Sequence, residues 1–150
     1  MIKIICVGKL KEKYLKDAIK EYEKRLTRYT KLEIIEINDE SLKEKEKCLD
    51  IEGEKILKNI KDKDYVITLE IEGEMVDSVE FSKKIDILSS QHNITFIIGG
   101  SYGISNQVKK RRDHAISFSK MTFPHQLFRI FLLEQIYRGY KIKNNESYHK

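Results

Sequence analysis

Cysteine is scarce, and its placement excludes two classes of protein at once. Cys6 and Cys48 are the only two in the chain, and neither belongs to a CxxC or a Cys/His pattern. That argues against a disulfide scaffold and a cysteine-held metal centre, so both are expected to be reduced, structural side chains, and no metal is expected. Long apolar runs are missing too. None approaches the roughly 20 residues that a helix needs to span a bilayer. The start, MIKIICV, lacks the charged beginning, long apolar region and cleavage site of a signal peptide and reads as a strand. The expected setting is therefore the cytoplasm, with no membrane association. Repeats, low-complexity tracts and linkers are also lacking, so residues 1–150 are expected to form one domain around one hydrophobic core.

What is present is charge, and an alternation of apolar patterns. Lys and Arg number 29 against 24 acidic residues, a net charge of +5 that leans mildly toward polyanions such as nucleic acid. With 40% hydrophobic and 35% charged residues, the chain reads as a folded globular protein and not as a disordered one. Apolar, β-branched runs predict strands over 2–7, 32–37, 65–71, 94–98 and 115–119, with Gly73 ending the third. Helical spacing predicts helices over 11–29, 42–60, 78–88, 106–112 and 124–139. In the first, Tyr14, Leu15, Ala18, Ile19, Tyr22 and Leu26 form the inward stripe; in the third, Val79, Phe81, Ile85 and Leu88 do. Residues 38–41 are expected to form a turn that caps the second helix. Strands alternating with helices predict an α/β fold with a mainly parallel sheet and helices on both faces.

The last helix is apolar around nearly its whole circumference, from Leu127 and Phe128 through Tyr140. Such a helix must be buried on more than one side. A second copy of the chain is one way to bury it, which predicts a homodimer; a central position within one subunit is the other.

Chemistry concentrates in residues 94–126. The buried strand 94–98 runs directly into Gly99-Gly100-Ser101-Tyr102-Gly103, three glycines in five residues. Glycine at the carboxyl end of a buried strand lets backbone approach a ligand closely. The strand at 115–119 ends in a second irregular loop, Lys120-Met121-Thr122-Phe123. Ligands of open α/β sheets sit outside the carboxyl ends of strands, so the two loops together predict one pocket. The cluster Lys109-Lys110-Arg111-Arg112 places positive charge beside it, as a phosphate contact or as a solvated face.

Two motif readings compete for the glycine loop. Gly99-Gly100-Ser101-Tyr102-Gly103 formally matches the G-x-S-x-G nucleophile elbow, with Asp113 and His125 or His149 following in the order of a serine hydrolase. No HGGG-type oxyanion motif accompanies it. The loop is also not GxGxxG, because Ser101 stands where the second glycine belongs and no acidic residue follows at the dinucleotide spacing. A cofactor-free RNA-binding or ribosome-associated factor would use the basic surface without needing the paired loops.

The runs VGKLKEKYLKDAIKEYEKRL, FIIGGSYGIS and ISFSKMTFPHQLFRIFLLEQIYRGYKI, with the terminal YHK, resemble the ribosomal large-subunit RNA methyltransferase H family. That family lies within the SPOUT superfamily of trefoil-knotted, S-adenosylmethionine-dependent methyltransferases. The resemblance covers essentially the whole chain, although the stretch 38–47 looks shorter than in that family. It implies a deep C-terminal knot, a rare departure from unknotted topology. It implies S-adenosylmethionine held by Leu69, Gly99 and the stretch Phe118, Ser119, Lys120, Met121, Thr122 and Phe123, without a metal. The implied reaction is methylation at N3 of a pseudouridine in a stem-loop of 23S rRNA, with the assembled ribosome as partner. On that reading, His149 is the expected base or proton relay. Arg138 stabilises the ring or holds phosphate, and Tyr148 stacks on or hydrogen-bonds the extruded base. His125 is the rival base, with packing at the helix start as its simpler role. In a homodimer, the tail is expected to complete the other subunit's pocket.

Overall fold

The computed structural model describes residues 1–40 and 43–150; Ser41 and Leu42, at the end of the expected turn and the start of the expected helix, lie outside the described residues, and the second helix begins only at Lys45, with Glu44 and not residues 38–41 at its N-cap. The elements follow in the order β1 (Ile2–Val7), α1 (Lys13–Leu26), β2 (Leu32–Ile37), α2 (Lys45–Lys58) and β3 (Tyr65–Met75). After them come α3 (Ser78–Ser89), β4 (Ile94–Ile98), α4 (Asn106–Arg111), β5 (His114–Ser117) and α5 (His125–Lys143). The five strands form one sheet in the order β2-β1-β4-β3-β5, with every pairing parallel.

Because a parallel sheet is covered on both faces, its central strands are apolar at consecutive positions. All six residues of β1 and all five of β4 are buried. Ile2, Ile4 and Cys6 face the side covered by α1, α3 and α5, where Ile19, Phe81, Phe96 and Leu132 complete the larger core. Ile5 and Val7 face the other side, against Ile56 of α2 and Val108 of α4. Each large apolar side chain buried in this way contributes about 1.5–3 kcal/mol.

Two glycines expected to end elements do not. Gly73 lies inside β3, and a Cβ there would stand 2.7 Å from backbone carbons of both Ala115 and Ile116. It is a point of close approach, where β5 crosses onto β3 at a register shift between Leu69 and Glu74. Gly139 lies inside α5, which continues to Lys143. Its bare surface lets α3 come close enough for Ser82 Oγ to donate to the Gly139 carbonyl at 2.7 Å. The start of α3 carries a capping box, Asp77 and Glu80 each bonding the other's backbone N–H.

Helix α5 packs against both α1 and α3, burying Leu132, Leu133, Ile136 and Tyr140 within the chain. Its wide apolar surface is thus largely used internally, while Phe131 remains exposed. Tyr14 and Val79 depart from the expected inward stripes and are exposed as well; each stands near a helix start, where the stripe turns off the core. Cys6 is buried, which pushes its thiol up to about 12, and Cys48 is buried with Sγ 3.4 Å from the Glu40 carbonyl. Among the described residues, no helix is long and apolar enough to cross a membrane.

A charged pair lies under the amino-terminal edge of the sheet. Lys3 Nζ is 3.3 Å from Asp64 Oδ2, with the two side chains only 6% and 3% exposed. Burial pushes the Asp64 carboxyl up, but the Lys61 amide, Lys3 and Thr95 outweigh it and hold the group below its ordinary value. Replacing Asp64 with Ala leaves the Lys3 ammonium buried, an expected loss of about 3–5 kcal/mol by denaturant unfolding. Since the folded group is the stronger acid, its contribution is present above the unfolded value of about 4 and fades as pH falls through the lower folded value.

Candidate active site

The carboxyl ends of β3, β4 and β5 open on a cavity of about 420 Å³. Six of the residues expected around a cofactor line it: Leu69, Gly99, Phe118, Ser119, Thr122 and Phe123. Lys120 and Met121 do not; both project from the same loop into solvent. The sheet order explains the convergence, since β3 lies between β4 and β5 and all three point the same way.

The glycine loop folds back on itself. Gly103 has φ +85° and its N–H donates to the Gly100 carbonyl at 3.0 Å. A Cβ on Gly99 would lie 2.5 Å from the Gly103 carbonyl oxygen, and one on Gly100 would meet Val7 Cγ1 at 2.9 Å. The tight return is therefore available only to residues without side chains at both positions. The second loop is tied by Ser117 Oγ donating to the Ser119 carbonyl at 3.0 Å, and by the Met121 N–H donating to Ser119 Oγ at 3.0 Å. Its aromatics join the core: Phe118 meets Phe81 edge-on at 5.5 Å, and Phe123 stacks on Phe128 at 6.4 Å.

Phe128, His125, Glu70 and Lys109 also line the cavity; the sequence sets Lys109 beside the pocket and offers His125 as the rival base, but does not point to Phe128 or Glu70. Phe128 carries no signal to separate it from other core positions of α5. Glu70 accepts from Arg112 at 2.9 Å and has Lys109 at 3.8 Å. The basic cluster is thus partly engaged at home. Arg111 donates to the carbonyls of Lys61, Asp62 and Asp64 at 3.0–3.3 Å and bridges to Asp113, leaving Lys110 exposed at the edge.

The hydrolase arrangement is not assembled with its acid. Asp113 accepts the Val66 N–H at 2.8 Å, at the end of the sheet opposite the loop that carries Ser101. His125 borders the cavity, and His149 belongs to a different group.

That group forms where the tail returns to α5. Arg138 Nη1 donates to His149 Nδ1 at 3.0 Å, and the Arg138 guanidinium lies 4.9 Å from the centre of the Tyr148 ring. Tyr148 packs edge-on against Tyr137 at 4.9 Å, which anchors the tail. Arginine only donates, so in this contact His149 Nδ1 is the accepting nitrogen. Burial, then the Glu134 carboxylate, push the Tyr148 phenol up to about 12, while hydrogen bonding to Glu134 raises Arg138 above the ordinary guanidinium value. Arg138, Tyr148 and His149 therefore come together, but none of them lines the cavity of its own chain. Along α5 the axis rises about 15 Å from Phe128, on the cavity wall, to Arg138.

Among the described residues, no group of three or more His, Cys, Asp or Glu side chains is placed to hold a metal ion.

Comparison with known proteins gives the family. Residues 1–149 match the family described as "Predicted SPOUT methyltransferase". The chain is 57% identical to the putative ribosomal RNA large subunit methyltransferase H of Methanococcus vannielii, with 99% of each chain covered. It is equally similar, over the same coverage, to the ribosomal RNA large subunit methyltransferase H of Clostridium botulinum (strain Eklund 17B / Type B). The solved structure of a probable methylase family protein from Haemophilus influenzae Rd KW20 superposes with a TM-score of 0.59 at 13% identity. That match covers 99% of this chain and 70% of the other, and at this identity it speaks for the fold alone. With a family match spanning residues 1–149 and relatives more than half identical from end to end, the chain belongs to the SPOUT methyltransferase family, among the ribosomal RNA large subunit methyltransferases H.

Proposed function

We propose that the chain is an rRNA methyltransferase that uses S-adenosylmethionine to methylate N3 of a pseudouridine in 23S rRNA of the assembled ribosome. The observation that carries this reading is the cavity at the carboxyl ends of β3, β4 and β5, built from a glycine return and an aromatic loop. Its volume lies within the range of about 300–1,000 Å³ usual for small-ligand sites. Gly99 lines the cavity without a side chain of its own, and Leu69, Phe118 and Phe123 offer apolar walls suited to an adenosine. The residues thus fit the cofactor. When bound, S-adenosylmethionine supplies a methyl group already activated by its sulfonium.

The chain's task is then to align the acceptor nitrogen and to handle one proton. Alignment is the larger contribution, because a fixed geometry replaces an encounter between separate reactants. The N3–H of the ring is only weakly acidic, so His149 takes the proton as N3 is methylated, and Arg138 stabilises the charge spread over the ring oxygens. In the arrangement seen, the Nδ1 lone pair is occupied by Arg138. On substrate binding His149 Nδ1 exchanges Arg138 Nη1 for the N3 proton, while Arg138 Nε and Nη2 stay on Glu134. Tyr148 stacks on or hydrogen-bonds the base.

The distance between cavity and tail supports a homodimer in which one copy's tail completes the other's pocket. Exposed Phe131, and Met121 at the cavity rim, provide apolar surface for such a contact. The C-terminal segment is knotted in this reading, as in the superfamily, and the protein works in the cytoplasm.

Methyl-labelled S-adenosylmethionine, offered to purified ribosomes lacking the modification and to naked rRNA in parallel, tests the proposal. Label is expected in the rRNA of the ribosome sample alone. Cofactor binding without label in either sample would contradict the substrate assignment, and loss of both would contradict the activity.

A further inference from the structure

The tail cluster has a hub, and it is not one of the three residues that carry its reactive groups. Glu134, one turn before Arg138 on α5, accepts four hydrogen bonds. Its Oε1 takes Arg138 Nε at 3.0 Å, Arg138 Nη2, and the Tyr148 hydroxyl at 3.1 Å. Its Oε2 takes Gln135 Nε2 at 2.9 Å, and Gln135 in turn accepts from Ser78 Oγ at 2.7 Å, which anchors the network to α3. The carboxylate is mostly buried, at 18% exposure, so these bonds are poorly replaced by water. Glu134 also borders a hollow lined by Phe118, Ser119, Phe123 and Phe128, the four aromatic-loop and α5 residues that this hollow shares with the main cavity.

We propose that Glu134 is the positioning residue of the tail: its carboxylate fixes Arg138 and Tyr148 in one register, and through Arg138 sets where His149 stands. The inference rests on the methyltransferase reading above. Glu134 touches neither the transferred methyl nor the base; it acts through its neighbours. Two features favour this role over that of a simple helix ion pair. An i,i+4 pair on a helix surface needs only one contact and contributes little. Here one carboxylate oxygen takes two N–H groups from one edge of a guanidinium and a phenol from a segment that would otherwise fray. The rise of the Tyr148 phenol, to which Glu134 contributes after burial, is the electrostatic trace of the same contact.

Glu134→Gln keeps an oxygen acceptor for Tyr148 but removes the charge. Cofactor affinity is expected to be unchanged while turnover falls about 10- to 100-fold, as for a displacement of about 1 Å in an aligned site. Glu134→Asp, which keeps the charge, is expected to recover part of that loss. In Tyr148→Phe, the same Glu134→Gln change is expected to cost less than in the wild type, since the two residues act as a unit. NMR of the Tyr148 ring gives a readout independent of activity. The wild-type signal stays that of a phenol near pH 10, where ordinary tyrosines ionise, and in Glu134→Gln it moves toward them. Unchanged turnover with a normal fold, or a Tyr148 titration that does not move, overturns the proposal. If the wild type itself transfers no methyl, the methyltransferase reading falls, and the Tyr148 titration still decides whether Glu134 holds the tail.

Discussion

Gly99→Ala is expected to weaken S-adenosylmethionine binding by about 100-fold while leaving the sheet intact. The added Cβ meets the Gly103 carbonyl oxygen at 2.5 Å and its carbon at 2.8 Å, and both are backbone atoms of a closed turn. No rotamer change relieves that contact, so the return from Gly100 to Gly103 must open. Overpacking of this kind costs about 1–3 kcal/mol. Displacing the wall also removes contacts to the ligand, and about 2.8 kcal/mol corresponds to a 100-fold change in Kd. The loop lies at the strand ends and not within the two cores, so the fold is expected to survive, with the melting temperature without cofactor lowered by about 2–12 °C, the shift that this cost implies. Calorimetric titration with S-adenosylhomocysteine measures the affinity. Wild-type binding by this variant would show that the cavity at the glycine return is not the cofactor site.

His149→Ala is expected to lower turnover by about 10²–10⁴-fold, the usual contribution of a positioned base. Cofactor affinity should be preserved, because His149 lies outside the cavity of its own chain. Stability should change by no more than about 0.5 kcal/mol, as for other exposed side chains. This separation of turnover from affinity is the mirror image of the Gly99→Ala result. Mixing the two defective variants therefore tests whether tail and cavity come from different copies. A mixed dimer holds one site with intact cavity and intact tail, so activity is expected to return on mixing. His149→Ala retaining near wild-type turnover, with cofactor bound, would remove His149 from the mechanism. Failure of mixing to restore activity, where the two variants form mixed dimers, would place the tail in its own chain's site.

Much of this architecture is legible in the sequence because its signals are local. The runs at Ile2–Val7, Leu32–Ile37 and Ile94–Ile98 are apolar, β-branched and bounded by turn residues, and the strands coincide with them. A parallel sheet buried on both faces leaves just that pattern. The two loops that meet at the cavity are legible for a related reason, since glycine clustered at the end of a buried strand signals a close approach of backbone. Gly73 and Gly139 mislead for the complementary reason. Glycine ends an element or admits a neighbour, and only the tertiary partner, β5 or α3, decides which. Arg129 shows the limit most clearly. It sits amid the apolar face of α5, yet is 1% exposed, its guanidinium donating to Glu36 at 2.7 Å and to the Gly8 carbonyl at 3.1 Å. Glu36 is 93 positions away in sequence, and no periodicity connects the two. Glu134 is hidden in a similar way. Its spacing to Arg138 is visible in the sequence, but its bond to Tyr148 depends on how the tail folds back.

The most direct test of the central claim is nucleoside analysis of the labelled 23S rRNA. Ribosomes treated with the enzyme and methyl-labelled S-adenosylmethionine are digested to nucleosides, and the labelled species is identified by mass and by comparison with synthetic standards. The expected result is label in N3-methylated pseudouridine, lost when His149→Ala replaces the wild type. Label in any other nucleoside, or on a ribosomal protein, would contradict it.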